Sequence, residues 1–237
     1  MTVKVLKSLA EIDNSRKDLR RMGVSCITAR PIRILRRLEI LRGVNVGDHI
    51  KSWDILETTR LIENSLDKDA PILDIGAYAS EILPALYHLG YSSLIGVDLN
   101  PGVRKMPYSH AIRYEVADLF RTPFGDGTFA AITAVSVIEH GFDAPRLLRE
   151  VARLLRPGGY FLASFDYWPA KVNTTGSDLF GMSWTIFSKA EILRFLTDAA
   201  EISIEPVGPL DLEADKPVIQ WGGKCYTFAW MALRKKG

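Results

Sequence analysis

The chain has 237 residues, 47% of them hydrophobic and 24% charged, with a formal net charge of +2. That balance fits one full-sized globular domain with decoration, and it excludes a disordered tail, a collagen-like repeat or a coiled coil as the main architecture. Two cysteines, Cys26 and Cys225, exclude a disulfide framework and an all-cysteine metal site, and no apolar run approaches the ~20 residues of a spanning helix. The N-terminus lacks the apolar core of a signal peptide. A soluble, cytoplasmic protein in a reducing compartment is the expectation.

The charge is uneven. Residues 1–50 hold eleven Lys/Arg against five Asp/Glu, so the remainder is net acidic. Residues 1–50 read as a basic, irregular or partly helical extension punctuated by Pro31, Gly43 and Gly47, and residues 51–237 as the main domain. The basic segment suits a phosphate-bearing partner: nucleic acid, a nucleotide-linked substrate or an anionic membrane surface. The favoured reading is a solvated helical face, or arginines that pair with the acidic remainder, because such patches are common on ordinary surfaces. No aromatic is interleaved before Trp53, which speaks against a base-stacking platform.

Trp53, Ile55, Leu56, Leu61, Ile62 and Leu66 recur with helical spacing and predict a helix from Ser52 to Leu66. A strand–helix alternation follows. Short apolar runs predict strands at Pro71–Ile75, Ser93–Val97, Ile112–Val116, Phe129–Val135 and Tyr160–Phe165. Helices are predicted over Ser80–Leu89, with Ser80 as cap, and over Ala144–Leu155, stopped by Arg156-Pro157-Gly158-Gly159. Ser188–Ala199 is a helix with a Ser188/Glu191 capping box. Ile202–Val207 and Cys225–Leu233 are two last strands with no long helix between them, which suits an antiparallel pair at a sheet edge. Continuous apolar strands alternating with helices mean an α/β fold: a mostly parallel sheet covered on both faces, with its ligand site at the carboxyl ends of the strands.

Five segments carry the chemistry. Leu73-Asp74-Ile75-Gly76-Ala77-Tyr78-Ala79-Ser80 follows the first of these strands as a small-residue turn. Asp98, in GVDLN, ends the second, where a carboxylate can accept from both ribose hydroxyls. Asp118, in VADLF, follows the third, where it can face an adenine amino group with Leu119 against the ring. The stretches PFGDGTFAAI through VIEH and LLREVARLLRPGGYF complete the set.

In this order, over about residues 70–165, the segments resemble the class I S-adenosylmethionine-dependent methyltransferases. The resemblance implies a Rossmann-like, seven-stranded, mostly parallel sheet with the last strand antiparallel. It implies S-adenosylmethionine as cofactor. Asp74, Gly76, Ala77 and Tyr78 would surround its methionine part. Asp98 would hold the ribose, Leu99 and Asn100 would lie beside the adenine, and Asp118 and Leu119 would frame the ring from the other side. Ser136 would sit near the sulfonium. The family's first loop usually reads Asp-x-Gly-x-Gly-x-Gly, and here Tyr78 and Ser80 replace two glycines. A tyrosine does not freely adopt a positive φ. The loop would therefore hold the cofactor in a shifted pose, make Tyr78 a wall of the substrate pocket, or lose the cofactor. Retained Asp98 and Asp118 argue against loss.

His140, after the fourth strand of the alternation, is the first candidate base for an alcohol acceptor, and Asp166, after the fifth, is the second. Either can also be an ordinary loop residue. Trp53, in Lys51-Ser52-Trp53-Asp54, can stack on a ligand or anchor its helix. The insertion at about 167–187, with Asn173, Thr174, Trp184 and Phe187, suits a sugar or other polyol, a lid, or a homodimer contact. The four histidines show no metal-ligand spacing. The expected activity is methyl transfer to a small molecule, at an oxygen of a sugar or glycan precursor. Cyclisation or elimination at the cofactor's methionine chain, and a non-catalytic binding role, are the alternatives. A nucleic-acid substrate is disfavoured, because the Asn/Asp-Pro-Pro-Tyr/Phe motif is absent.

Overall fold

The computed structural model describes residues 3–179 and 181–237. Its strands are β1 (Val3–Val5), β2 (Ile72–Ile75), β3 (Leu94–Asp98), β4 (Ile112–Val116), β5 (Phe129–Val135), β6 (Leu155–Tyr167), β7 (Asp178–Leu179), β8 (Met182–Ser183), β9 (Ile204–Pro206), β10 (Ile219–Trp221) and β11 (Lys224–Lys235). Its helices are α1 (Leu9–Arg21), α2 (Arg30–Arg37), α3 (Ser52–Ser65), α4 (Ile82–His88), α5 (Ala144–Leu154) and α6 (Lys189–Glu201).

The main sheet runs β1-β11-β6-β5-β2-β3-β4, with β9 and β10 also paired to β11. Strands β4, β3, β2, β5 and β6 are mutually parallel, and β11 is antiparallel to β6 and to β9. The seven strands expected from the sequence are present with the last one antiparallel, and β1 and β10 are additions. Residues along each strand alternate between two cores. Ile72, Ala131, Leu162 and Trp230 face α1, α3 and α4, whereas Leu73, Ile132, Phe161 and Met231 face α5 and α6.

The segment before residue 50 is more ordered than its sequence suggests. Val3–Val5 pairs with Ala229–Met231, so the chain opens as an edge strand of the main sheet. Helix α1 then packs on α3, with Ile12, Ser15, Arg16 and Leu19 buried. Arg16 is 1% exposed and grips Glu81 with two bonds of 2.7 and 2.8 Å, while its Nε donates to Ser52 at 2.9 Å. Cys26 N–H donates to the same carboxylate at 2.6 Å. Paired and fully bonded charge of this kind is what makes a buried arginine tolerable.

Two local expectations shift. Helix α4 starts at Ile82 with Glu81 as its cap residue, and Ser80 Oγ accepts from Ile82 N–H at 3.3 Å. The Pro157-Gly158 turn is absorbed as a register slip between β5 and β6. The Ser188/Glu191 capping box forms as expected.

Candidate active site

Parallel strands β2, β3, β4 and β5 deliver their carboxyl ends to one edge, and the loop after each carries a residue singled out above. Gly76 takes φ +74°, and a Cβ there would lie 2.3 Å from Val137 Cγ2. Only glycine permits that approach between the loops after β2 and β5. Tyr78 is spared the left-handed geometry, because the turn places it on Ala79, at φ 62°. The Tyr78 side chain stays on the rim, 38% exposed, with its ring over Gly102. Ala77 is turned inward against Gly96 and is buried, so only its backbone belongs to the loop's outer surface.

Asp98 collects two backbone donors. Tyr78 N–H reaches Oδ2 at 3.0 Å and Asn100 N–H reaches Oδ1 at 2.7 Å. An ionised carboxylate has about four acceptor positions, so capacity remains for two hydroxyls. Asn100 Oδ1 is committed to a local turn, accepting from Gly102 N–H at 2.8 Å. Leu99 is exposed and Leu119 half-buried, leaving two apolar side chains at the rim where a flat ring would lie. Asp118 Oδ1 accepts from Phe120 N–H at 2.9 Å, and Arg146 stands 3.8 Å from Oδ2.

Beneath this rim lie orphaned polar atoms. Asp74 is buried, takes a 2.6 Å bond from Thr133 Oγ1, and leaves Oδ2 without a partner among the described residues. Burial pushes its carboxyl up to about 7, against the pull of Thr133 and Ser80. Ser136 holds φ 52° at the end of β5, fixed by its N–H donating to Ser164 O at 2.9 Å, and its Oγ is also unpartnered. A non-glycine residue held at positive φ is strained by about 1–3 kcal/mol, the sort of cost seen where geometry serves a site.

A second group of ionisable side chains lies deeper, around Lys51. Asp54 on α3, Glu139 and His140 after β5, and Asp166 near the end of β6 all feel its charge. Asp54, Glu139 and Asp166 are buried. Asp54 Oδ2 accepts from Ser164 Oγ at 3.0 Å, while Asp54 Oδ1 and Glu139 Oε2 have no hydrogen-bond partner among the described residues. Burial raises Asp54 to about 6 and raises Glu139 and Asp166, Lys51 opposing in each case. Burial and then Lys51 lower His140 to about 4, so its imidazole is neutral at physiological pH. The Lys51 ammonium also sits 3.4 Å from the Phe228 ring centroid.

The insertion covers this group. Thr185 N–H donates to Glu139 O and Gly141 N–H to Ser183 O, so residues 183–185 run along 139–141. Trp184 pairs with His140 along the backbone, and its indole N–H donates to Asp166 Oδ2 at 2.8 Å. The two candidate bases therefore share one tryptophan as neighbour. Trp184 and Phe187 are buried, whereas Asn173, Thr175 and Gly176 are exposed. Trp53 is buried within the core facing α1, α3 and α4, not on the rim.

Sequence reading did not single out Asp54, Ser164 or Tyr226, whose hydroxyl hydrogen-bonds Asp166. Asp54 lies one residue beyond Trp53 and is signalled only by being a carboxylate on a buried helical face. Ser164 and Tyr226 sit in strands whose apolar neighbours hide them.

Comparison with known proteins bears on the fold and the domain. Residues 73–163 match a family described as a methyltransferase domain. A ubiquinone biosynthesis O-methyltransferase of Xanthomonas oryzae is 29% identical over 109 residues, 43% of this chain and 45% of that protein. The chain thus spans about half the length of the curated relatives it matches. The Burkholderia thailandensis 1,6-didemethyltoxoflavin-N1-methyltransferase, solved with S-adenosylhomocysteine, superposes with a TM-score of 0.57 at 17% identity, covering 78% of this chain and 79% of that one. The [4+2]-cyclase SpnF superposes with a TM-score of 0.56 at 15% identity over 99% of this chain and 98% of that one. At these identities the structures speak for the fold.

Proposed function

We propose that this chain, whose residues 73–163 are a class I methyltransferase domain, transfers the methyl group of S-adenosylmethionine to an oxygen of a small polyhydroxy acceptor, a sugar or glycan precursor. One observation carries the reading: half-exposed Asp98 and Asp118 stand on a rim whose adjoining loops lead to a buried, Lys51-centred set of carboxyls. The residues fit the cofactor. Asp98 has lone pairs left for the ribose hydroxyls, Leu99 and Leu119 offer apolar contact to the adenine, and the orphaned Asp74 Oδ2 is an acceptor for the ammonium. When bound, S-adenosylmethionine supplies an electrophilic methyl group on sulfur.

The chain's own part is alignment and proton removal. An acceptor hydroxyl loses its proton as its oxygen takes the methyl group. Neutral His140 can receive that proton directly, and Asp166, held by the Trp184 indole, can receive it when ionised. Asp54 Oδ1 and Glu139 Oε2 lack donors, and the hydroxyls of a polyol are donors. Tyr78, standing where the family's first loop has a glycine, is the ground for a second outcome, cyclisation or elimination at the methionine chain. Incubation with S-adenosylmethionine and a panel of sugar acceptors tests the reading. S-adenosylhomocysteine with a methylated sugar supports it. Methylthioadenosine supports the alternative, and absence of either product with absence of binding heat supports a non-catalytic role.

A further inference from the structure

Residues 29–43 leave the body of the protein as an excursion closed at its base. Thr28 N–H donates to Val46 O at 3.0 Å and Val46 N–H to Thr28 Oγ1 at 2.8 Å. Within it, α2 buries none of its residues. Arg33 and Arg36 fold back onto the carbonyls of Val44, Val46 and Gly47 and hold the helix in place. Everything else points outward: Ile34 is 50% exposed, Leu38 62% and Ile40 65%, and Ile32, Leu35 and Leu41 are exposed beside them. Arg30, Arg37 and Arg42 have no ion pair or side-chain hydrogen bond among the described residues. An eight-residue helix is marginal in water by itself, and exposed aliphatics in such a group mark a contact surface.

The chemistry of the segment narrows the contact. Five arginines stand against one glutamate, Glu39, so the surface it meets is anionic. It has no aromatic side chain between Thr28 and Val46, so it lacks a platform for stacking bases. Aliphatic side chains beside unpaired arginines match an interface where acyl chains lie under phosphates. We propose that residues 29–43 dock the protein on the surface of an anionic lipid bilayer, the aliphatics entering the interface and Arg30, Arg37 and Arg42 meeting headgroup phosphates. Gly47 N–H donates to Ala79 O at 2.9 Å, so the base of the excursion is fastened to the loop bearing Tyr78. Docking brings the rim of the candidate site to the membrane surface. The inference is independent of the reaction proposed above.

Vesicle flotation tests it, with phosphatidylcholine vesicles and with vesicles of phosphatidylcholine and phosphatidylglycerol. The wild-type protein is expected to float with the anionic vesicles alone. Arg30→Gln/Arg37→Gln/Arg42→Gln should weaken partition about a hundred-fold, and Leu38→Asp/Ile40→Asp at least about ten-fold. Both variants alter exposed side chains, and thermal melting checks that they fold. Failure of the wild-type protein to float overturns the proposal, as does wild-type flotation by either folded variant. Dimerisation abolished by Leu38→Asp/Ile40→Asp without flotation would assign the surface to a second copy of the chain. Binding of RNA without flotation would assign it to nucleic acid. Either result also overturns the proposal.

Discussion

Carboxylates occupy two places near one edge of the sheet, and their surroundings set them to opposite tasks. On the rim, Asp98 and Asp118 are half-exposed and accept from backbone N–H groups, Asp98 from its own loop and from Tyr78 in the loop after β2, Asp118 from its own loop. Each keeps acceptor positions that these donors do not fill, which a nucleoside can use. Below, Asp54, Glu139 and Asp166 are buried around a lysine, and burial raises their carboxyls while Lys51 opposes it. One residue class thus serves as a fixed acceptor in one region and as an exchangeable proton site in the other. What separates them is depth below the surface, not spacing in the sequence.

The comparison yields a graded set of outcomes. Replacing Asp166 by Asn keeps the indole contact as acceptor and removes the proton site. Turnover should fall by about 100- to 1000-fold with cofactor affinity unchanged, read by product formation and by calorimetry. A parallel loss in affinity would break the distinction between the regions. Asp98→Ala removes the acceptor for the ribose. Affinity for S-adenosylhomocysteine should fall about a hundred-fold while the melting temperature holds within a few degrees. Asp118→Ala should cost about ten-fold in the same titration.

The smallest effect is on stability. Asp74 and Asp54 have carboxyls raised to about 7 and about 6, so the folded protein binds protons there that the unfolded chain has released. That stabilisation is fully present below the unfolded value and is lost as pH rises through the folded ones. His140, lowered to about 4, acts in the opposite sense between about 4 and its unfolded value. Four raised carboxyls outweigh one lowered imidazole. The melting temperature should therefore decline by several degrees between about pH 5 and about pH 8. Asp74→Asn should flatten that slope. A profile rising over this range would contradict the buried, protonated assignment.

Much of this fold is legible in the amino-acid sequence because it is locally encoded. PILDI, the apolar run to Asp98 and the run from Phe129 are strands buried on both faces, and no other element explains them. The capping box at Ser188 and the stop after Leu154 are equally local. Interactions across long separations carry no such signal. Val3–Val5 finds Ala229–Met231 at the far end of the chain, and Arg16 finds Glu81 across two intervening helices. The rim of the site is legible because each residue follows its own strand. The buried group is only half legible: Glu139 and His140 sit together in sequence, but Lys51, Asp54 and Asp166 reach them only through packing of α3 and the 183–185 segment. Tyr78 shows the same limit at smaller scale, since its replacement of a glycine is absorbed by Ala79 taking the left-handed turn.

Calorimetry of the Asp98→Ala/Asp118→Ala double variant against S-adenosylhomocysteine tests the central claim most directly. The account predicts a correctly folded protein with an unchanged melting temperature and binding weakened about a thousand-fold. Wild-type affinity in that sample would contradict it.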